Sequence, residues 1–70
     1  MNEKKLRMAM VNNDLSVPKL ADILGISAQA LYNKMSGRSE FTAKEIRATA
    51  SAMHLSVGEI NDIFFGEIVN

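Results

Sequence analysis

The stretch from Ser16 to Arg38 constrains the fold of this chain more than any other part of it. It contains two short segments with an apolar stripe, the first followed by Gly25 and the second by Gly37. Glycine reaches positive φ without the steric cost of a Cβ atom, so both positions suit the end of a helix. Two short helices joined by so tight a turn must cross at a steep angle. The pattern predicts a helix-turn-helix arrangement.

Serine residues mark the starts of these two helices. Ser16 is a good N-cap, and Pro18 is tolerated just inside because first-turn N–H groups have no intrahelical partner. Ser27 is placed to cap a second helix, which is predicted to run from Ala28 to about Met35. In a helix-turn-helix of this kind, the second helix enters the major groove of DNA.

The rest of the chain predicts three further helices. The first runs from Glu3 to about Asn13, where turn residues follow. Capping-box spacing at 42–45 opens a fourth helix that ends near His54, and the same spacing at 56–59 opens a fifth. The inward faces of these three helices are predicted to consist of Leu6, Ala9, Met10, Ile46, Thr49, Ala50, Met53, Ile60, Ile63 and Phe64. We expect one all-α domain over residues 1–70, a compact five-helix bundle that contains the helix-turn-helix.

Composition argues against enzymatic and metal-binding functions. The chain has no cysteine and a single histidine, so a thiolate or zinc site is not expected. That histidine, His54, is expected near a helix C-terminus, where an imidazole complements the helix dipole. Neither a glycine-rich phosphate loop nor a serine with a nearby base is visible. We expect no enzymatic activity, no cofactor, no bound metal and no small-molecule substrate.

The hydropathy pattern predicts a protein without a membrane segment. The apolar run behind the basic residues at 4, 5 and 7 extends only from Met8 to Val11, whereas a signal peptide needs roughly 7–15 apolar residues. No stretch approaches the length of a membrane span. We expect a soluble, cytoplasmic protein.

Charge is balanced overall but distributed unevenly along the chain. Residues 1–47 hold all eight Lys and Arg against five acids, a charge of +3, and residues 48–70 hold three acids, a charge of −3. The basic part contains the predicted helix-turn-helix, and such a dipolar molecule can still be steered toward phosphate. The zero net charge predicts weak non-specific affinity for DNA.

Several motifs resemble the phage lambda-repressor/Cro superfamily of helix-turn-helix domains. They are Leu20-Ala21, Leu24-Gly25-Ile26-Ser27, Leu31, Gly37, Phe41-Thr42-Ala43-Lys44-Glu45-Ile46 and Leu55-Ser56. The resemblance covers most of the chain and is nearest to a branch of small phage-type repressors. It implies a five-helix domain that binds operator DNA, usually as a dimer, and regulates transcription. Family members commonly carry an apolar residue three positions after Leu31, whereas this chain has Lys34 there and Met35 one place later.

Two amide side chains are the leading candidates for reading bases. Periodicity alone predicts a buried stripe of Ala28, Leu31, Tyr32 and Met35, whereas the family's packing turns Ala28 toward the bases. Gln29 and Asn33 face outward under both interpretations, and their amides can pair with adenine N6 and N7 in the major groove. The predicted base-contacting residues are Gln29, Asn33, Ala28 and Tyr32. For Tyr32 the alternatives are a hydroxyl offered to phosphate and a ring that fills the core.

Cations and helix-capping hydroxyls near the motif are candidates for holding phosphate. Serines at helix ends can meet phosphate together with backbone N–H groups, in addition to their capping role. The predicted phosphate-contacting residues are Ser16, Lys19, Ser27, Lys34, Ser36, Arg38 and Lys44. For each lysine and arginine the alternative is an ordinary solvated surface charge.

The C-terminal residues 63–70 contain more apolar side chains than one short helix can bury. An exposed apolar surplus marks an interface, so Phe65, Ile68 and Val69 are predicted to form a homodimer contact. The alternative is a tail that folds back over a small core.

Together these patterns predict a sequence-specific DNA-binding transcriptional regulator, a phage-type repressor that binds double-stranded operator DNA. The alternative is a protein–protein module on the same fold, an adaptor or antitoxin-like partner that binds no DNA. Zero net charge and the apolar C-terminal residues keep that alternative open, and fold alone does not decide between the two.

Overall fold

Capping side chains set the helix boundaries in the computed structural model, which describes residues 1–66. The elements are α1 (Glu3–Asn12), α2 (Val17–Leu24), α3 (Ala28–Met35), α4 (Ala43–Ala52) and α5 (Val57–Ile60), the last continuing as a π-helical turn (Asn61–Phe65). No strand occurs in this part of the chain. The prediction of an all-α five-helix bundle is confirmed.

Each α-helix begins at a side chain that accepts a hydrogen bond from the backbone N–H three residues later. The five caps are Asn2, Ser16, Ser27, Thr42 and Ser56. The last two form complete capping boxes, in which a glutamate at the third helical position returns a hydrogen bond to the cap. The starts of α2 to α5 therefore lie where the sequence predicts them.

Two glycines provide the backbone conformations that end α2 and follow α3. Gly25 has φ of 72° and Gly37 has φ of 88°, both in the left-handed region. α4 ends at Ala52, slightly before the predicted end near His54, and His54 itself has φ of 51°. The chain therefore turns sharply between α4 and α5.

The core lies where α2 packs against α3 and α4, with α1 packed against the π-turn. The buried apolar cluster consists of Leu6, Met10, Val17, Leu20, Ala21, Leu31, Met35, Met53, Ile63 and Phe64. Partly buried apolar residues, including Ile46 and Ile60, pack against this cluster. The predicted inward faces are largely confirmed. Of the two alternatives for Tyr32, the ring that fills the core does not agree with its 44% exposure.

The beginning of the chain is tied to the last helix by a backbone hydrogen bond. The Asn2 N–H donates to the carbonyl of Ile63 in the π-turn, at 2.6 Å. Asn2 is also the cap of α1, with its side chain accepting from Lys5 N–H at 3.0 Å. α1 is thereby held against the π-turn.

Candidate nucleic-acid interface

α2 and α3 are joined by only three residues, Gly25 to Ser27. The Ile26 N–H donates to the carbonyl of Ala21 at 3.0 Å, which closes the C-terminal end of α2. Ala21 is 2% exposed, and its small side chain permits close approach of the two helices. Ile26 turns inward and packs against the core. The short connection therefore holds α3 against α2.

α3 has one buried side and one side that faces solvent. Leu31 is 0% exposed and Met35 is 2% exposed, so these two side chains anchor the helix in the core. Gln29 is exposed and Asn33 is half-buried, one turn apart. The outward orientation of both amides, which both interpretations of the sequence predict, agrees with this structure.

The two amides are hydrogen-bonded to each other. Gln29 Nε2 donates to Asn33 Oδ1 at 3.3 Å. Across residues 1–66, neither Gln29 Oε1 nor Asn33 Nδ2 has a hydrogen-bond partner, so both remain able to bind a ligand. Together they present one acceptor and one donor group on the surface of α3.

The other two predicted base-contacting residues lie differently. Ala28 is half-buried and packs against the core at the first turn of α3, beside the Ser27 cap. Tyr32 lies with 44% of its surface exposed, so its hydroxyl can reach a ligand. Their predicted contacts with bases stay predictions.

Six of the seven predicted phosphate-contacting side chains lie exposed around the ends of α2, α3 and α4. Ser16 accepts from Lys19 N–H at 3.3 Å, and Ser27 accepts from Ala30 N–H at 3.0 Å. The Ser36 hydroxyl donates to the Asn33 carbonyl at 3.1 Å. The exposed members of the predicted set are Ser16, Lys19, Ser27, Ser36, Arg38 and Lys44.

Lys34 is placed otherwise than the sequence predicts. Its side chain is only 14% exposed, and its Nζ lies 2.9 Å from Glu45 Oε1. The same ammonium donates to the backbone carbonyl of Glu40 at 3.0 Å. A cation that already has two partners within the protein is less available to bind phosphate. This placement favours a structural role over the predicted phosphate contact.

Glu45 takes part in both this ion pair and the capping box of α4. Partial burial acts to raise the pKa of its carboxyl, but the hydrogen bond from the Thr42 N–H, together with the hydrogen bond and charge of Lys34, outweighs that effect. The pKa therefore lies below its ordinary value of 4.5. The carboxylate is held ionised near neutral pH, which preserves the pair with Lys34.

Arg47 is an exposed cation that sequence reasoning omitted from the phosphate set. It follows Lys44 by three residues on α4, and residues at this spacing lie on the same face of a helix. The spacing was visible in the sequence and could have identified it. Arg47 and Lys44 give α4 a basic face beside its N-terminus.

Of the predicted dimer residues, the structure describes Phe65 alone. Its side chain is 36% exposed, and it lines a pocket of about 380 Å³ together with Phe41 and Phe64. Ile68 and Val69 lie outside the described residues. A second apolar area lies on α1, where Met8 is 58% exposed and Val11 is 74% exposed. The sequence predicts the first of these areas and not the second.

Residues 1–66 contain no group of three or more His, Cys, Asp or Glu residues arranged to hold a metal ion. In the same part of the chain no helix has both the length and the apolar character needed to cross a bilayer. No family model, curated protein or solved structure matches the chain. The fold therefore defines the class of protein as a small all-α five-helix domain, and its function has to be argued from its own surface.

Proposed function

We propose that this protein is a sequence-specific DNA-binding regulator of transcription, a phage-type repressor that acts in the cytoplasm and inserts α3 into the major groove. The observation that carries the proposal is the two-sided character of α3. Leu31 and Met35 anchor the helix in the core, while Gln29 and Asn33 form a hydrogen-bonded amide pair on the outer side. A short helix held in this way can place polar side chains against base edges.

The amide pair has the chemistry to recognise adenine. Adenine presents N7 as an acceptor and the N6 amino group as a donor in the major groove. Gln29 Oε1 and Asn33 Nδ2 provide the complementary acceptor and donor, since their mutual hydrogen bond uses the other two atoms. Each well-formed contact of this kind contributes about 1–3 kcal/mol of discrimination against a wrong base.

The exposed cations near α3 supply the affinity that does not depend on sequence. Lys19, Arg38 and Lys44 are exposed and carry charge to the ends of α2, α3 and α4. Ser16 and Ser27 add hydroxyls and helix N-termini, which bind phosphate oxygens favourably. Neutralising phosphates releases condensed counterions, and binding then weakens as salt is added.

Dimerisation completes the proposal. Two copies of such a domain must be separated by about 34 Å to reach successive major grooves on one face of DNA. Phe65 is an exposed aromatic side chain at the end of the bundle, in a segment that continues with Ile68 and Val69. A self-complementary contact there gives a closed two-fold dimer that leaves both copies of α3 free.

A salt titration of duplex DNA binding tests the proposed function. We expect the logarithm of affinity to fall linearly with the logarithm of salt concentration. Arg38→Ala should weaken binding to every sequence alike and reduce the salt slope, because it removes a phosphate contact. Absence of binding at low ionic strength, or an affinity that salt does not change, contradicts the proposal.

The second candidate function is a protein–protein module on the same fold. The apolar area on α1 favours it, because Met8 and Val11 are large apolar side chains with most of their surface exposed. Such areas mark interaction sites. The two functions separate cleanly in the salt titration, since a module that binds only protein gives no complex with duplex DNA.

A further inference from the structure

Lys34 is a half-buried cation on α3, close to the core residue Leu31. It follows Leu31 by three residues, so the two lie on neighbouring parts of one face of α3. Its side chain is 14% exposed. Burial of an ammonium group is costly unless the group is paired and hydrogen-bonded. The geometry around Lys34 meets both requirements.

The partners of Lys34 belong to the loop before α4 and to the first turn of α4. Its Nζ lies 2.9 Å from Glu45 Oε1 and donates to the Glu40 carbonyl at 3.0 Å. Glu45 Oε1 also accepts from the Thr42 N–H at 2.9 Å. One carboxylate oxygen therefore joins a side chain of α3 to the capping box of α4. We call Lys34, Glu40, Thr42 and Glu45 the α3–α4 clamp.

The clamp restrains the rotation of α3 about its own axis, in addition to the buried Leu31 and Met35. Successive residues of an α-helix are about 100° apart around the axis, so holding Lys34 inward fixes the direction of Asn33 directly before it. Gln29 lies one turn earlier on the side of Asn33 and is fixed with it. Apolar packing alone specifies such a rotation less strictly, because cores tolerate repacking of similar volume. The ion pair adds a directional restraint.

We propose that Lys34 is a positioning residue, which orients the Gln29–Asn33 amide pair for base contact through Glu45 and Glu40 and does not itself touch phosphate. This inference rests on the DNA-binding function proposed above. Turning Lys34 toward a phosphate would leave the partly buried Glu45 carboxylate without its cation, and removing one partner from such a pair destabilises the other. The exposed Arg38 is available for phosphate without any such loss.

Replacing Glu45 by a neutral residue distinguishes a positioning role of Lys34 from a phosphate contact, because the two roles predict opposite changes in DNA affinity. Glu45→Gln keeps a side chain that suits the capping box but removes the charge that holds Lys34. If Lys34 positions α3, Glu45→Gln and Lys34→Met each weaken binding about tenfold, and the double variant is also weakened about tenfold because the pair acts as a unit. If Lys34 contacts phosphate, Glu45→Gln frees the ammonium and binding becomes tighter.

The measurement is a fluorescence-anisotropy titration over a salt series, with a duplex that the wild-type protein has selected from a random-sequence library. Lys34→Met should keep the wild-type salt slope, whereas Arg38→Ala should reduce its magnitude by about 0.9. Glu59→Gln is the matched control, because Glu59 has the same capping-box geometry, with the Ser56 N–H donating to its Oε1 at 2.9 Å. Glu59 has no ion pair within residues 1–66, so this change should leave affinity and slope unaltered.

Each outcome is decisive. A wild-type protein that binds no duplex overturns the proposed function and the positioning role with it. A wild-type protein that binds, while Glu45→Gln tightens binding or Lys34→Met lowers the salt slope, overturns the positioning role alone. Circular dichroism and urea unfolding show that each variant is folded during the titration. Loss of stability without loss of affinity in both variants also overturns the positioning role. Should Lys34→Met not fold, the sign of the Glu45→Gln effect still decides.

Discussion

The ring of Phe41 meets the ring of Phe64 edge to face, with centroids 5.3 Å apart and ring planes inclined by 78°. Phe41 directly precedes the Thr42 cap of α4, and Phe64 is a buried residue of the π-turn. The contact therefore holds the loop after α3 against the last helix. It also supports the position of the α3–α4 clamp, because Thr42 and Glu45 follow Phe41 in the chain.

Phe41→Leu should lower the free energy of unfolding by about 1 kcal/mol, since aromatic pairs contribute about 0.5–1.5 kcal/mol beyond their burial. Urea unfolding of Phe41→Leu, Phe64→Leu and the double variant isolates the pair. We expect the double variant to lose less stability than the two single losses combined. Losses that simply add, within about 0.3 kcal/mol, would show that the rings do not interact.

Thr49 and Thr42 should respond in opposite directions to the same substitution. Thr49 is fully buried in α4, and its hydroxyl has no hydrogen-bond partner within residues 1–66. Thr49→Val should raise the free energy of unfolding by about 1 kcal/mol, because it removes an unsatisfied buried polar group. Thr42→Val should lower it by about 1 kcal/mol, because it removes the α4 cap. Thermal unfolding of both variants checks this, and destabilisation by Thr49→Val would contradict it.

Helix starts could be predicted from the sequence because capping is local. Ser27 and the Thr42–Glu45 box bond backbone groups only three residues away, so the pattern contains all the partners. The role of Lys34 could not be predicted in the same way. Its partner Glu45 lies on α4, beyond the loop that follows α3. The sequence pattern assigns that glutamate to the capping box and gives no sign of a second partner. Periodicity alone predicts that Tyr32 is buried, because it cannot show which edge of a short apolar stripe the neighbouring helices cover.

The candidate site was predicted only in part. The outward side of α3 follows from Leu31 and Met35, so the outward amides of Gln29 and Asn33 could be named from spacing. Their mutual hydrogen bond depends on side-chain rotamers, which spacing does not fix. The exposure of Met8 on α1 could not be predicted, because an amphipathic pattern does not show how much of a helix its neighbours cover.

The two capping glutamates make stability depend on acidity. Partial burial raises the pKa of Glu45, but Thr42 and Lys34 lower it more, and hydrogen bonds with Ser56 lower the pKa of Glu59. Both values lie below the ordinary 4.5. A depressed folded-state pKa means that the stabilisation is fully present above about pH 4.5 and is lost as pH falls through the folded-state pKa.

Carbon-detected NMR titration of the two carboxyl groups checks this pH dependence. Both midpoints should lie below 4.5, and Lys34→Met should raise the midpoint of Glu45 while leaving that of Glu59 in place. The reason is that Lys34 contributes charge and a hydrogen bond to Glu45 only. A Glu45 midpoint that does not move in Lys34→Met would show that the ion pair does not form in solution.

The C-terminal segment should control assembly. Truncation after Gly66, or Phe65→Ser, should shift the protein toward monomer and weaken binding to a palindromic site far more than to a half-site. Analytical ultracentrifugation measures the first effect. Met8→Ser is a suitable control, because it removes another exposed apolar side chain on α1. A wild-type protein that sediments as a monomer, or a truncated chain that unfolds, would contradict the dimer.

Selection of duplexes from a random library by wild type, Gln29→Ala and Arg38→Ala tests the central claim most directly. The wild-type protein should enrich a palindromic motif that contains A·T pairs. Gln29→Ala should lose the preference at particular positions, at a cost of about 1–3 kcal/mol there, because one amide of the pair is gone. Arg38→Ala should keep the same motif with uniformly weaker binding. If the wild-type protein enriches no motif, or if both variants weaken all sequences equally, α3 does not read bases in DNA.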